Sequence, residues 1–342
     1  MTKKVYVGMS GGVDSSVTAA LLKDQGFDVT GVYMKNWTED LPGFECPWQD
    51  DYQDAKRVAV QLSIDFKTYD FQKEYRKKVV DYMVSEYQAG RTPNPDIMCN
   101  QEVKFKLFLE AALEDGADLI ATGHYARTKS GKLYMAVDPT KDQTYFLYCV
   151  NTKALEKSLM PIGDYKKNEV RKMAAKFGLA TADKKDSQGI CFVGKVGIKE
   201  FLLNELGPQK TGPIIDQEGK VIGEHEGAIF YTIGQRHGLN VGGGLPYYVT
   251  RKDMNTNSVY VTTDLDNKDL WTNEVELQSI HWIYDEPTKI KKYQARYRHR
   301  GPLIGCNFID GKVIFDEPQR GLAAGQSIVL YDKDLVLGGG II

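Results

Sequence analysis

Ser10-Gly11-Gly12-Val13-Asp14-Ser15-Ser16 follows an apolar run at residues 4–9 and leads into Val17, Leu21 and Leu22, which have helical spacing. A strand, a glycine turn and a helix in that order make an anion site. Gly11 and Gly12 carry no side chain, so their backbone N–H groups can approach a charged ligand closely. The following helix adds unsatisfied donors and a favourable dipole at its N-terminus. Ser10, Ser15 and Ser16 can add hydroxyls. No lysine follows the glycines, so the loop is not the G-x-x-x-x-G-K-[ST] pattern that grips β and γ phosphates, nor is it G-x-G-x-x-G. A bare glycine turn capped by Asp14 or Ser15 is the competing reading. The complete string directly after a first strand favours the anion site.

Outward from this loop the hydrophobic period alternates. Gly26 is placed to end the first helix. Residues 28–34, 66–71 and 118–122 read as strands, and 52–62, 74–87 and 103–113 as helices. That alternation predicts an α/β fold with a doubly wound parallel sheet, whose ligands sit at the carboxyl ends of the strands. The loop at 10–16, Met34 and Gly123 all fall at such ends. Beyond about residue 200 the texture changes to short strands and frequent glycine, with turns at 216–219, 242–244 and 310–311. Residues 264–269 form a polar stretch suited to a boundary. The expected division is 1–200, 201–264 and 265–342, and a 342-residue chain exceeds what one core normally serves.

Composition excludes several classes. No apolar run reaches the length of a membrane helix. The N-terminus enters a strand without a signal-peptide layout, so a cytoplasmic location is expected. The net charge of -2 gives no global signal for nucleic acid, and any RNA contact must come from local patches. Five cysteines without a Cys-x-x-Cys pair argue against zinc and against a secreted disulfide framework. No cluster of metal ligands stands out.

Two strings place cysteines in a polar context. In Thr92-Pro93-Asn94-Pro95-Asp96-Ile97-Met98-Cys99-Asn100 the prolines predict a rigid, non-helical segment that holds Asp96 and Cys99 in fixed relation without burying them. In Lys184-Lys185-Asp186-Ser187-Gln188-Gly189-Ile190-Cys191-Phe192 the thiol follows a lysine pair, and nearby positive charge favours the thiolate. Cys46, Cys149 and Cys306 lack such surroundings and read as packing residues.

The loop resembles the pyrophosphate-binding loop of the PP-loop ATP pyrophosphatases, which split ATP into AMP and pyrophosphate. With the two cysteine strings, Ala121-Thr122-Gly123-His124-Tyr125, residues 141–148, residues 232–239 and the glycine-rich end, nearly the whole chain resembles the bacterial tRNA-specific 2-thiouridylase family. The resemblance implies a PP-loop domain followed by two small β-rich domains, the last a tRNA-binding β-barrel. It implies ATP contacts from Gly8, Met9, Ser10, Gly11, Gly12, Val13, Asp14 and Ser15, with Met34 near the adenine and Gly123 against the nucleotide. Magnesium is expected only as the partner of ATP.

The reaction implied is adenylation of O2 of the wobble uridine, then sulfur transfer to C2 from a persulfide on Cys191, with Cys99 as partner thiol and Asp96 handling a proton. The sulfur would come from a cysteine desulfurase or a relay protein, and the tRNAs would be lysine, glutamate and glutamine acceptors. The implied tRNA contacts are Asn94, Pro95, Asp96, His124, Lys141, Asp142, Gln143, Arg296, Tyr297, Arg298 and Gln326; His124 taken alone reads equally as a satisfied core histidine.

Residues 289–300 hold six Lys and Arg and no acidic residue. Strand alternation would put Arg296, Arg298 and Arg300 on one face, to meet phosphates, and Tyr293, Ala295 and Tyr297 on the other. A basic strand edge that discourages pairing is the alternative. The chain departs from the family pattern at Ala323-Ala324, where Thr-Pro is common, at His237, where lysine is common, and at Asn240, where glycine is common. Rival functions are an amidotransferase-type synthetase, a tRNA lysidine synthetase, and a nucleotide- or RNA-binding module without catalysis. None of them requires Cys99 and Cys191 together.

Overall fold

The computed structural model describes residues 2–342 except 42, 44, 187–192, 194–196, 240, 243 and 245. The N-terminal part is built on a parallel sheet of five strands. β1 (Lys4–Gly8) lies between β2 (Asp28–Lys35) and β4 (Leu119–Thr122), with β3 (Asp65–Asp70) and β7 (Ser158–Leu159) at the edges. Val5 and Val7 are fully buried, because β1 is covered on both faces. One apolar cluster around Val7, Val17 and Leu22 fills the side under α1 (Val13–Asp24) and α8 (Lys167–Lys176). Gly26, at φ +85°, turns the chain out of α1 as expected.

The other face of the sheet carries two helical runs that change pitch. α3 (Gln72–Tyr75) passes through π-helical Arg76–Val80 into α4 (Asp81–Gln88). α5 (Pro95–Met98) passes through π-helical Cys99–Leu107 into α6 (Phe108–Glu114). Wide turns of this kind are rare and gather at functional sites.

Two β-rich parts follow. β8 (Gly212–Ile215), β9 (Val221–His225), β10 (Tyr248–Asp253) and β11 (Ser258–Thr262) form a four-stranded sheet over a small core that includes Ile214, Val249 and Val259. The C-terminal sheet has nine strands. Seven come from its own sequence: β12 (Trp271–Glu276), β13 (Gln278–Trp282), β14 (Tyr293–Arg296), β15 (Ile304–Ile309), β16 (Lys312–Arg320), β17 (Ser327–Asp332) and β18 (Leu335–Ile341).

The remaining two, β5 (Ala126–Lys129) and β6 (Lys132–Met135), are a hairpin from the N-terminal part that pairs with β18 at Leu335 and Tyr134. The sequence reading did not anticipate this exchange. Its core consequence is direct: one apolar cluster runs from Cys99, Phe105 and Tyr148 to Val329, Tyr331 and Val336. Among the described residues no helix is long and apolar enough to cross a membrane.

Candidate functional site

The glycine loop leaves β1 at its carboxyl end and turns directly into α1. Gly11 sits at φ +73°, and a Cβ there would lie 2.3 Å from the carbonyl oxygen of Asp51, so the turn requires glycine. Gly12 takes the N-cap position with no side-chain capping bond, which leaves the first N–H groups of α1 available to an anion. The serines brace the loop: the Ser10 N–H donates to Ser15 Oγ at 3.1 Å, and Ser16 Oγ donates to the Gly12 carbonyl at 2.8 Å. A Cβ on Gly123 would meet Ser15 N at 2.7 Å, and one on Gly8 would meet Met34 Cε at 2.9 Å. Gly8, Met34 and Gly123 therefore surround the loop at neighbouring strand ends.

A charge cluster that the sequence reading missed flanks this loop. Lys167, on α8, donates to both carboxylate oxygens of Asp14 at 2.8 and 2.9 Å, and reaches Asp186 at 2.8 Å. The Tyr125 hydroxyl donates to Asp14 at 3.0 Å. Asp186 also accepts from Lys141 at 2.8 Å and Arg171 at 2.7 Å. Burial works against the Asp186 carboxylate, but the hydrogen bonds from Lys141 and Lys167 outweigh it and hold its pKa well below the usual range. Tyr125 and Asp186 stand inside strings already singled out. Lys167 lies 153 residues from Asp14 in an ordinary amphipathic helix, and no local signal marks it. Lys184, one of the two lysines preceding Cys191, is neutralised by Asp51 at 2.8 Å and Asp54 at 2.7 Å. Cys191 itself lies outside the described residues.

The segment holding Asp96 and Cys99 is a helix, contrary to the expectation from its prolines. Pro95 occupies the first helical position, where its missing N–H costs nothing, and the Asn94 side chain caps the turn by accepting from the Asp96 N–H at 3.2 Å. Asp96 and Cys99 are three residues apart, on one face of a helical turn. Cys99 is sequestered, where the sequence reading left it open, at 4% exposed; Asp96 is half-buried, and burial raises its pKa against an opposing pull from Lys104. The π-helical stretch carries Lys104 back toward this face. Its ammonium lies 3.4 Å from Nε2 of His124, whose Nδ1 is 2.8 Å from Thr122 Oγ1. Burial, reinforced by Lys104, drives the His124 pKa well down and keeps the imidazole neutral. Lys104 enters no ion pair with a carboxylate among the described residues.

The other three thiols have different surroundings. Burial pushes Cys149 and Cys306 up to about 12 and raises Cys46 as well. Thiols held protonated in this way are poor nucleophiles.

The expected arginine face is not formed. β14 ends at Arg296, and the chain turns by Arg300, at φ +59°. Arg296 is 5% exposed and pairs with Asp142 at 3.0 Å, in a buried bridge completed by Ala136 N and Thr144 Oγ1. Tyr297 is buried and its carbonyl accepts from Tyr145. Only Arg298 and Arg300 of the three arginines are exposed. The Gln143 side chain accepts from Tyr125 N at 2.9 Å, and the Gln326 amide donates to the Thr92 carbonyl at 2.7 Å. Lys141, Asp142, Gln143, Arg296 and Gln326 thus each make at least one polar contact within the protein.

Three family models match the chain in succession: a tRNA methyl transferase HUP domain over residues 3–195, a tRNA methyl transferase PRC-barrel domain over 199–263, and an aminomethyltransferase β-barrel domain over 272–342. The tRNA-specific 2-thiouridylase MnmA of Geobacillus thermodenitrificans is 47% identical over 99% of this chain and 94% of its own length. The protein of the same name from Alkaliphilus oremlandii is 46% identical over 99% of this chain and 96% of its own. Among solved structures, a 4-thiouridine synthetase–RNA complex with bound ATP covers 56% of this chain and 46% of that chain at 18% identity, with a TM-score of 0.39, too slight a likeness to bear on function.

Proposed function

The chain belongs to the tRNA-specific 2-thiouridylase family, and from that membership and its site we propose that it transfers sulfur to C2 of the uridine at tRNA position 34, using ATP. The observation that carries this reading is the capped turn Pro95–Met98, which sets Asp96 and Cys99 on one helical face, in a protein whose glycine loop at the head of α1 is open to an anion. ATP places its phosphates at the N-terminus of α1, with Gly8, Met9, Val13, Met34 and Gly123 around the nucleotide. Magnesium would come only with those phosphates, because the Asp14 carboxylate already binds Lys167 through both oxygens.

O2 of uracil is a poor leaving group. Its attack on the α-phosphorus expels pyrophosphate and turns O2 into an adenylate, which then departs as AMP. The terminal sulfur of a Cys191 persulfide supplies the nucleophile. In one sequence it attacks C2 directly and Cys99 then cleaves the S–S bond at Cys191. In the other, Cys99 attacks first and releases hydrosulfide, which attacks C2. Both routes leave 2-thiouridine and a Cys99–Cys191 disulfide, and an external thiol must reduce the disulfide before the next turnover. Asp96, with a pKa raised by burial, is suited to move the proton at the base.

Asn94, Pro95 and His124 border the base, while Arg298, with Arg300, offers charge to the RNA backbone. Lysine, glutamate and glutamine tRNAs are the proposed substrates, with a cysteine desulfurase or relay protein as donor. The test is thiolation of such a tRNA with ATP and a persulfide source, read as retardation in a mercury-containing gel. Cys99→Ser and Cys191→Ser are expected to abolish it while ATP still binds. Retained thiolation by Cys191→Ser would remove the persulfide from the scheme. A wild-type protein that gives no retarded band with a competent donor would overturn the reading.

A further inference from the structure

Thr92 stands where three parts of the molecule meet. Its N–H donates to the carbonyl of Ala324 at 2.8 Å, and its carbonyl accepts from the Gln326 amide at 2.7 Å. Both backbone polar groups of one residue in the N-terminal part are thus taken by a single loop of the C-terminal part. Its hydroxyl lies 3.0 Å from that of Thr232, in the central part. The fit is close on all sides. Gly325 sits at φ +92°, and a Cβ there would lie 2.8 Å from Thr92 N. A Cβ on Gly90 would lie 2.5 Å from Met254 Cγ, and one on Gly234 would lie 3.1 Å from the Cα of Gly321.

The loop that grips Thr92 is itself fixed. The Gly325 N–H donates to the Ile342 carbonyl at 2.9 Å, and the Ile342 N–H donates to the Gln326 carbonyl at 2.8 Å. The adjoining Ser327 carbonyl accepts from Tyr145 at 2.9 Å. On the other side, three residues separate Thr92 from Asp96 and six separate it from Cys99. Pro93 and Pro95 fix φ at two of the intervening positions, and Asn94 caps the helix between them. A displacement at Thr92 has little slack in which to dissipate before it reaches the helical turn. A partly buried backbone carbonyl that loses its donor also favours such a displacement.

We propose that Gln326, with Gly325, is a positioning residue: it holds Thr92 so that the capped turn presents Asp96 and Cys99, and the C-terminal part thereby completes the catalytic geometry as well as meeting RNA. This inference rests on the sulfur-transfer reading above. It differs from the expectation that Gln326 contacts tRNA, because an amide bonded to the Thr92 carbonyl acts through the protein.

The experiment compares Gln326→Ala and Gln326→Glu with wild type and with Arg298→Ala. tRNA affinity is measured by filter binding, and single-turnover thiolation is measured at saturating tRNA and ATP. Thermal melts identify variants that fail to fold. Gln326→Ala removes only one partly buried bond, so it decides the matter if Gln326→Glu does not fold. The expected result is a saturating rate at least 10-fold lower in both Gln326 variants, with the tRNA Kd within 2-fold of wild type. Arg298→Ala is expected to do the reverse. A weakened Kd with an unchanged saturating rate would make Gln326 an RNA contact and overturn the proposal, as would wild-type values for both. Failure of the wild-type protein to thiolate would instead strike the functional reading on which the inference stands.

Discussion

Arg296 separates two accounts of the basic segment, and Arg296→Met tests them. Arg296 is 5% exposed, and the Asp142 side chain it pairs with is completely buried. Removing the cation leaves a carboxylate in the interior, which typically costs about 3–5 kcal/mol. Asp142 keeps two donors, Ala136 N at 2.7 Å and Thr144 Oγ1 at 2.6 Å. Arg296 Nε is itself buried without a partner, so its loss removes one unmet donor worth about 1 kcal/mol. Both corrections favour the lower end, about 3 kcal/mol. At about 2.1 cal/mol/K of unfolding entropy per residue, a cooperative unit the size of this chain shifts by roughly 1.4 °C per kcal/mol, so the melting temperature should fall by about 4 °C. Arg298→Met, on the exposed neighbour, should stay within about 0.5 kcal/mol of wild type. Adding Asp142→Asn to Arg296→Met should recover part of the loss, because the orphaned charge goes with it. The assay is paired thermal and urea denaturation of the four proteins, with tRNA affinity followed over a salt series. An Arg296→Met protein as stable as wild type, with a shallower salt dependence of RNA binding, would show that the arginine meets phosphate and would refute the buried-bridge account.

Gly11→Ala should abolish ATP binding, measured by calorimetry, because the left-handed φ costs about 1–2 kcal/mol and the added Cβ would overlap the Asp51 carbonyl. Asp96→Asn should stop thiolation yet leave the fold as stable as wild type or more so at pH 8. The sign follows from the raised pKa: ionised Asp96 destabilises the folded state above that pKa, and the penalty fades as the pH falls through it and is gone below the unfolded value near 3.8. Denaturation of the pair at pH 8 and pH 4 checks this, and a wild-type advantage at pH 8 would contradict it. Cys149 and Cys306, pushed up to about 12, should resist iodoacetamide at pH 8 under native conditions, as peptide mapping by mass spectrometry would show. Arg298→Ala should weaken tRNA binding and lower the magnitude of its log–log salt slope by about one.

The parts of the fold that were legible in the sequence are those whose cause is local. The glycine loop announces its turn because only residues without a Cβ fit there, and β1, α1 and β2 follow from hydrophobic period alone. Two failures also have local causes. The prolines of the segment at 92–98 were weighed as helix breakers, although Asn94 followed by Pro95 is a helix start. The alternation at 293–300 was carried past Arg296, where the strand ends. A third signal was present and unused: Ser130 at φ 49° and Gly131 at φ 73° form the kind of two-residue turn that closes a hairpin. What no local pattern could supply is the partner of β6, because β18 lies some 200 residues downstream.

The same reasoning explains why the site was only half legible. Asp14, Asp96 and Cys99 are recognisable because their chemistry is written in their immediate neighbours. The long-range contacts around them are not: Lys167 reaches Asp14 across 153 residues, Arg296 reaches Asp142 across 154, and Gln326 reaches Thr92 across 234. Each of these three bonds spans a long loop of chain, so each forms only after the parts it joins have been brought together, and each loses its geometry if they separate. The proposed reaction, which must keep an adenylated base and a reactive sulfur away from water until both are aligned, benefits from this dependence. The glycine loop can then hold nucleotide on its own fold, while the turn bearing Asp96 and Cys99 is set only in the assembled molecule. On that account, variants at residues 321–326 should uncouple ATP binding, which they leave intact, from thiolation, which they slow. ATP affinity lost in step with thiolation would mean instead that these contacts maintain the whole fold.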